Sequence, residues 1–268
     1  MHKRRAIKTK TDRILIKKEI IEIWNDRVAR SCMIIIPIFL ALLIPGGYLA
    51  MLMIFHQHNP LGDGLMALLT TKNEWMSERQ ALFAIFSRYI CPMLFLMIPL
   101  LCSCITAASS FVGERDRQTL ESLLLTPVRA SRVFQIKAIC CIMISAVTTA
   151  ISFALMTLVL SIGDILLKVP FFFRLEWLIV LVLLAPSITV LGTLFTAAGF
   201  FKSGSYLESI QTSAYLAFPL TLCCIVPFTG LLVFSAHVLL IFWGVILLAD
   251  VILWGINRRS FQMRKIAL

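Results

Sequence analysis

Apolar blocks long enough to cross a bilayer alternate with polar stretches along the whole chain. Crossing as a helix takes about 20 mostly apolar residues. Four blocks qualify directly, at about 31–55, 84–112, 133–162 and 175–201. From Ser209 to Asn257 no long polar interruption occurs, which is too much chain for one crossing. Pro219, Pro227 and Gly230 break that stretch into spans of about 209–226 and 236–257, with a re-entrant or interfacial hairpin between them. The pattern predicts an all-α membrane protein with six transmembrane helices. Pro37, Pro45, Pro92 and Pro99 fall inside predicted spans. Such breaks are tolerated where neighbouring helices satisfy the freed backbone groups.

The flanks read differently. From Thr11, a plausible N-cap, the pattern turns helical, with Ile16, Ile20, Ile23 and Trp24 on one face. This predicts an amphipathic helix over 12–28 lying on the membrane surface, with Lys17, Lys18, Trp24 and Arg27 at headgroup level. Residues 1–10 are expected to be disordered. The chain then divides into a tail with an elbow helix (1–30), a six-span domain (31–257) and a basic tail (258–268). The run Phe171–Phe173 suits an aromatic belt at the interface.

Composition agrees. Apolar residues make up 59% of the 268, against about 45–50% in soluble domains. The net charge of +11 has a topological explanation. Six spans place both termini and the 113–137 and 202–205 connections on one side. Twenty of the 25 Lys and Arg residues lie there, and Lys72, Arg79, Arg88, Lys168 and Arg174 lie on the other. The positive-inside rule puts the richer side in the cytoplasm, so the charge no longer argues for a nucleic-acid partner. All eight cysteines lie within apolar blocks and read as small buried hydrophobes. His56, His58 and Asp63 share a polar loop, but their spacing makes a weak metal site.

One connection has structure in its pattern. Glu114, Arg115, Asp116 and Arg117 carry alternating charges. Thr119, Leu120, Glu121, Leu123 and Leu124 follow, then Thr126 and Pro127. Leu120, Leu123 and Leu124 stand at i, i+3 and i+4, an apolar helical face rimmed by charge. Pro127 ends the helix. Two membrane spans flank this segment, so it projects into water toward something other than lipid.

This connection, with Arg132 and Lys137 after it, resembles the cytoplasmic loop between the second and third spans of ABC-type-2 transporter permeases. The helix with Lys17-Lys18-Glu19 and Asn25-Asp26-Arg27 resembles that family's elbow helix. The resemblance implies that residues 114–127 form a coupling helix seated in a separate ATPase subunit. It also implies a working unit of two six-span halves, from two copies of this chain or from this chain and a sister permease, in the cytoplasmic membrane. Ser103, Thr106, Gln211 and Thr212 are candidates for lining a substrate path between the halves.

The chain has no G-x-x-x-x-G-K-[ST] phosphate loop, no H-E-x-x-H and no G-x-S-x-G, so no enzymatic centre and no cofactor is expected in it. Asp250, with His237 and Glu208 as lesser candidates, is the ionisable group at membrane depth. It keeps two other readings open: a secondary transporter or ion pathway using Asp250, and a membrane assembly subunit that transports nothing.

Overall fold

The computed structural model describes residues 2–54, 78–116, 130–199 and 236–263. Six helices fill them. The first, α1 (His2–Asn25), precedes α2 (Arg27–Ile54), α3 (78–116), α4 (Ala130–Leu167), α5 (Leu175–Gly199) and α6 (Ala236–Met263). No strand occurs among the described residues. The helices α2 to α6 each contain a stretch long and apolar enough to cross a bilayer. The predicted fifth span, 209–226, and the hairpin after it lie outside the described residues.

Several limits differ from the sequence expectation. α1 is helical from His2, because nothing in its first ten residues breaks a helix. It stops at Asn25, where Asp26 leaves helical geometry and its carboxylate accepts a hydrogen bond from the Val28 N–H at 3.1 Å. That is N-capping, and it makes the corner between α1 and α2. α3 starts before the predicted span at about 84, and residues 80–83 belong to it. α4 runs on to Leu167.

The prolines explain the shape of three spans. A proline at position p removes the hydrogen bond to the carbonyl at p−4 and crowds it. Pro45, Pro92 and Pro186 are each preceded by a π-helical segment: Ile38–Leu43, Phe86–Ile90 and Val180–Leu184. In each, the residue before the proline donates five residues back: Ile44 to Phe39, Cys91 to Phe86 and Ala185 to Val180. The carbonyls of Ala41, Arg88 and Val182, which the prolines would orphan, lie inside these wider turns. The helix absorbs the proline by adding a residue rather than breaking. Pro37 and Pro99 lie in ordinary α-helix, and nothing in the structure explains the difference.

α3 is the central helix, buried along most of its length. It runs parallel to α5, since Arg88 pairs with Glu176 and the Cys104 thiol donates to the Gly192 carbonyl. It is antiparallel to α4, through Gln80 with Leu167 at one end and Ser110 with Lys137 at the other. It is antiparallel to α2 as well, where Tyr48 stacks on Phe86 with ring centroids 4.0 Å apart. α6 runs parallel to α5, with Trp243 on Ser187 and Asn257 on Leu194. The bundle therefore has an end where α3 leaves and α4 enters, called the connection end below, and an opposite end.

α3 and α5 meet closely at Gly192. A Cβ there would overlap the Ser103 hydroxyl and lie 3.2 Å from the Leu100 carbonyl oxygen. The absence of a side chain is what lets α3 and α5 approach so closely. Gly192→Leu should destabilise the bundle by about 1–3 kcal/mol through overpacking. Gly244→Ala, in open space, should not. Thermal melting of both variants in detergent checks this; equal melting temperatures would remove Gly192 as the contact that sets the spacing.

Candidate functional site

The site that stands out lies at the connection end, where α1 docks. Ile16, Glu19 and Ile23 stand at i, i+3 and i+7, one helical stripe. This stripe faces the bundle: Glu19 and Ile23 are buried, and the Ile16 carbonyl accepts from the Cys140 thiol. The surface-helix expectation is corrected in one respect. Ile20 and Trp24 are exposed, with Ile14, Ile21 and Val28, so α1 carries two apolar faces. One meets the bundle through Ile23, and the other is exposed. Lys17 and Lys18 are exposed, Lys18 lies 3.7 Å from Glu22, and Arg27 is exposed in the first turn of α2.

Glu19 is only 6% exposed and Lys137, on α4, only 5%. The Lys137 ammonium lies 3.0 and 3.2 Å from the two Glu19 oxygens and donates to the Ser110 carbonyl of α3 at 2.8 Å. The Ser110 hydroxyl donates to Glu19 Oε1. An ammonium has three donors, and here they are directed at three acceptor atoms. Its Nζ also lies 5.9 Å from the centre of the Phe111 ring. A buried charge is tolerated when it is paired and hydrogen-bonded, and this knot supplies both from three different helices.

A polar seam continues from the knot between α3 and α4. The Thr106 and Ser145 hydroxyls lie 3.3 Å apart, and the Cys141 thiol points to the Thr106 carbonyl at 3.5 Å. Ser103 and Thr106, the two path candidates on α3, are buried. Their hydroxyls donate back to Leu100 at 2.9 Å and to Cys102 at 2.8 Å. Gln211 and Thr212 lie outside the described residues.

Ser110 comes six residues before Asp116, and Lys137 seven after Ala130. The knot thus sits about 10 Å of helix from each root of the connection. The backbones of Glu114, Arg115 and Asp116 continue α3. Arg117, Thr119, Leu120, Glu121, Leu123, Leu124, Thr126 and Pro127 lie outside the described residues, as do His56, His58, Asp63 and Glu208. His237 is exposed at the start of α6. Among the described residues no group of His, Cys, Asp and Glu could hold a metal ion, and six cysteines are free thiols.

Asp250 is buried on the face of α6 that meets α5, seven residues from both Trp243 and Asn257. Its Oδ1 has no hydrogen-bond partner among the described residues.

The knot was not singled out from sequence. In the sequence, Lys137 reads as a positive charge that follows the connection, and Glu19 as part of the elbow helix. The available signal was Lys137 inside the run Phe134–Ile139, one turn into a span. A lysine there needs a carboxylate, and the preceding amphipathic helix was the place to seek it.

These features define a multi-pass helical membrane protein whose N-terminal helix is bonded to two of its spans. A model of the ABC-2 family transporter proteins matches residues 13–247, and the chain belongs to that family. It is an ABC-2 type permease, the membrane component that associates with an ABC ATPase. No curated protein and no solved structure matches it.

Removing one member of a buried ion pair strands the other, at a cost of about 3–5 kcal/mol. Lys137→Met and Glu19→Met should each lower the melting temperature of the purified chain, while the double variant should recover much of the loss. Additive losses in the double variant would show that the two side chains do not act as a pair.

Proposed function

We propose that this chain is the six-span permease half of an ATP-driven exporter in the cytoplasmic membrane, with both termini in the cytoplasm. Residues 114–127 form the coupling helix, received by a separate ATPase subunit, and the working unit holds two permease halves and two ATPases. The observation that carries this reading is the Glu19–Lys137–Ser110 knot. It binds α1, α3 and α4 into one body at the roots of the connection. A push on the connection then reaches two spans and the surface helix together.

Further support comes from direction. α5 and α6 are parallel, so the chain between them has to return to the opposite end, which favours one more crossing within 200–235. The charge bias of the connections puts the connection end in the cytoplasm. The substrate is a peptide, drug, lipid or ion. Its path runs between the halves, along Ser103, Thr106, Gln211 and Thr212. In the arrangement seen, Ser103 and Thr106 are closed against α5 and α4, so the path opens only when the spans move.

Leu124→Asp should abolish stimulation of the co-purified ATPase while leaving membrane insertion intact, because it places a charge on the apolar face of the coupling helix. Undiminished stimulation in that variant would sink the assignment. A second reading rests on the unpartnered Asp250 Oδ1: an ion pathway independent of ATP. It requires cation flux into vesicles holding this chain alone, lost in Asp250→Asn. Equal flux with and without the chain would remove it.

A further inference from the structure

At the opposite end of the bundle, a cavity of about 110 Å³ opens between α3 and the segment joining α4 to α5. Ser87, Arg88 and Tyr89 form one wall; Phe171, Phe172 and Arg174 form the other. The walls are well anchored. Phe172 is held by its backbone N–H, which donates to Asp164 Oδ2 at 2.9 Å, and by its ring, which packs edge-on against Trp177 at 5.5 Å. Lys168 takes a positive φ of 53° to turn the chain into this segment, a conformation uncommon for residues other than glycine.

Two arginines line the cavity, and beyond the Tyr89 ring, whose centre lies 5.6 Å from the Arg88 guanidinium carbon, little answers them. Arg88 meets Glu176 through one nitrogen at 3.5 Å, the limit of a useful contact. Its Nε is buried and has no hydrogen-bond partner among the described residues. Arg174 forms no ion pair among them. A buried N–H without an acceptor is costly, and a guanidinium is best satisfied by a planar or tetrahedral oxyanion. Arg88 also stands in the π-helical segment that Pro92 imposes, so its direction is a consequence of that extra residue.

The surroundings say what kind of anion fits. Phe171 lines the cavity and is exposed, and Leu175, Leu178 and Val182 continue as an exposed apolar stripe down α5 from Arg174. Polar groups at the span end, with an apolar track below them on the lipid-facing surface, match an amphiphile with an acidic head and an acyl tail. We propose that this cavity binds the phosphate headgroup of an anionic phospholipid, with Arg88 and Arg174 on the phosphate and an acyl chain along Leu175, Leu178 and Val182. Glu176 holds Arg88 in place when the site is empty and sets a selectivity for anions strong enough to compete with it.

The test uses the full-length chain purified in a neutral detergent. Its melting temperature is measured with short-chain phosphatidylglycerol, with phosphatidylcholine of the same chain length, and with inorganic phosphate. A ligand that binds only the folded state raises the melting temperature in proportion to its affinity. Phosphatidylglycerol should raise it, while phosphatidylcholine and free phosphate should do so weakly or not at all. Arg88→Gln and Arg174→Gln should each weaken the phosphatidylglycerol response about tenfold in concentration, as expected for losing one charge-assisted contact. Arg174→Lys should restore part of it, which a merely structural arginine would not allow. An unchanged response in both glutamine variants would place lipid binding elsewhere, on the basic termini, and overturn the proposal. Free phosphate acting as well as the lipid would overturn the lipid assignment. Should Arg88→Gln fail to fold, Arg174→Gln carries the test alone, because Arg174 is exposed and pairs with nothing described.

Discussion

The ion pair between Glu19 and Lys137 constrains everything at the connection end. Moving two charges out of water costs several kcal/mol each, and pairing repays that only when the geometry is good. The pair is therefore weak evidence of stability and stronger evidence of specificity. Lys137 can remain buried in α4 only while α1 delivers a carboxylate, and α1 can do so only when its Ile16–Glu19–Ile23 stripe faces α3 and α4. One electrostatic requirement thus fixes the position and rotation of α1 against the bundle. Asp26 completes the constraint by capping α2 and turning the chain within one residue.

Elsewhere the bundle is held by shape. Inside a bilayer the hydrophobic effect does not drive helices together, so packing and interhelical hydrogen bonds must. At Gly192 the missing side chain brings α3 and α5 into contact. The buried hydroxyls of α3, α4 and α5 mostly bond to carbonyls one turn back on their own helix, as Thr149 and Thr193 do at 2.7 and 2.9 Å. They thereby present small, satisfied surfaces to their neighbours. Pro45, Pro92 and Pro186 each follow a π-helical turn in which the residue before the proline still donates, five residues back, so the helix continues through the proline. Lipid offers no alternative partner for an unpaired carbonyl.

Five of the predicted spans were legible in sequence because length and hydropathy are enough to define a crossing. The corner at Asn25–Arg27 was not, because the surface helix was expected to run to residue 28, although an aspartate before a helical run is a cap signal. The π-helical segments were not legible: proline marks a disturbance without saying whether the helix kinks or widens. The burial of Glu19 escaped because α1 has two apolar faces, and a pattern count cannot tell the one that meets protein from the one left exposed. In the aromatic run, Phe171 and Phe173 are exposed as expected of an interfacial belt, while Phe172 turns inward onto Trp177. That inward turn depends on Asp164, eight residues away, whose carboxylate holds the Phe172 N–H.

These pieces share α3. It contributes Ser110 to the knot, Thr106 to the seam, Ser103 to the Gly192 contact, Phe86 to the stack on Tyr48 and Arg88 to the cavity at the far end. A helix packed on every side cannot move alone, because interiors at crystal-like density offer no free volume. Any displacement imposed at the connection must either carry α1 and α4 with α3 or break the knot, and breaking it leaves a charge stranded. The economical motion is one of α1, α3 and α4 as a body. Because Arg88 rides on the same helix as Ser110, such a motion would also shift the cavity at the opposite end relative to Arg174. An anionic lipid bridging the two arginines would then favour one arrangement of the spans over the other, which is the condition for any ligand to bias a conformational equilibrium.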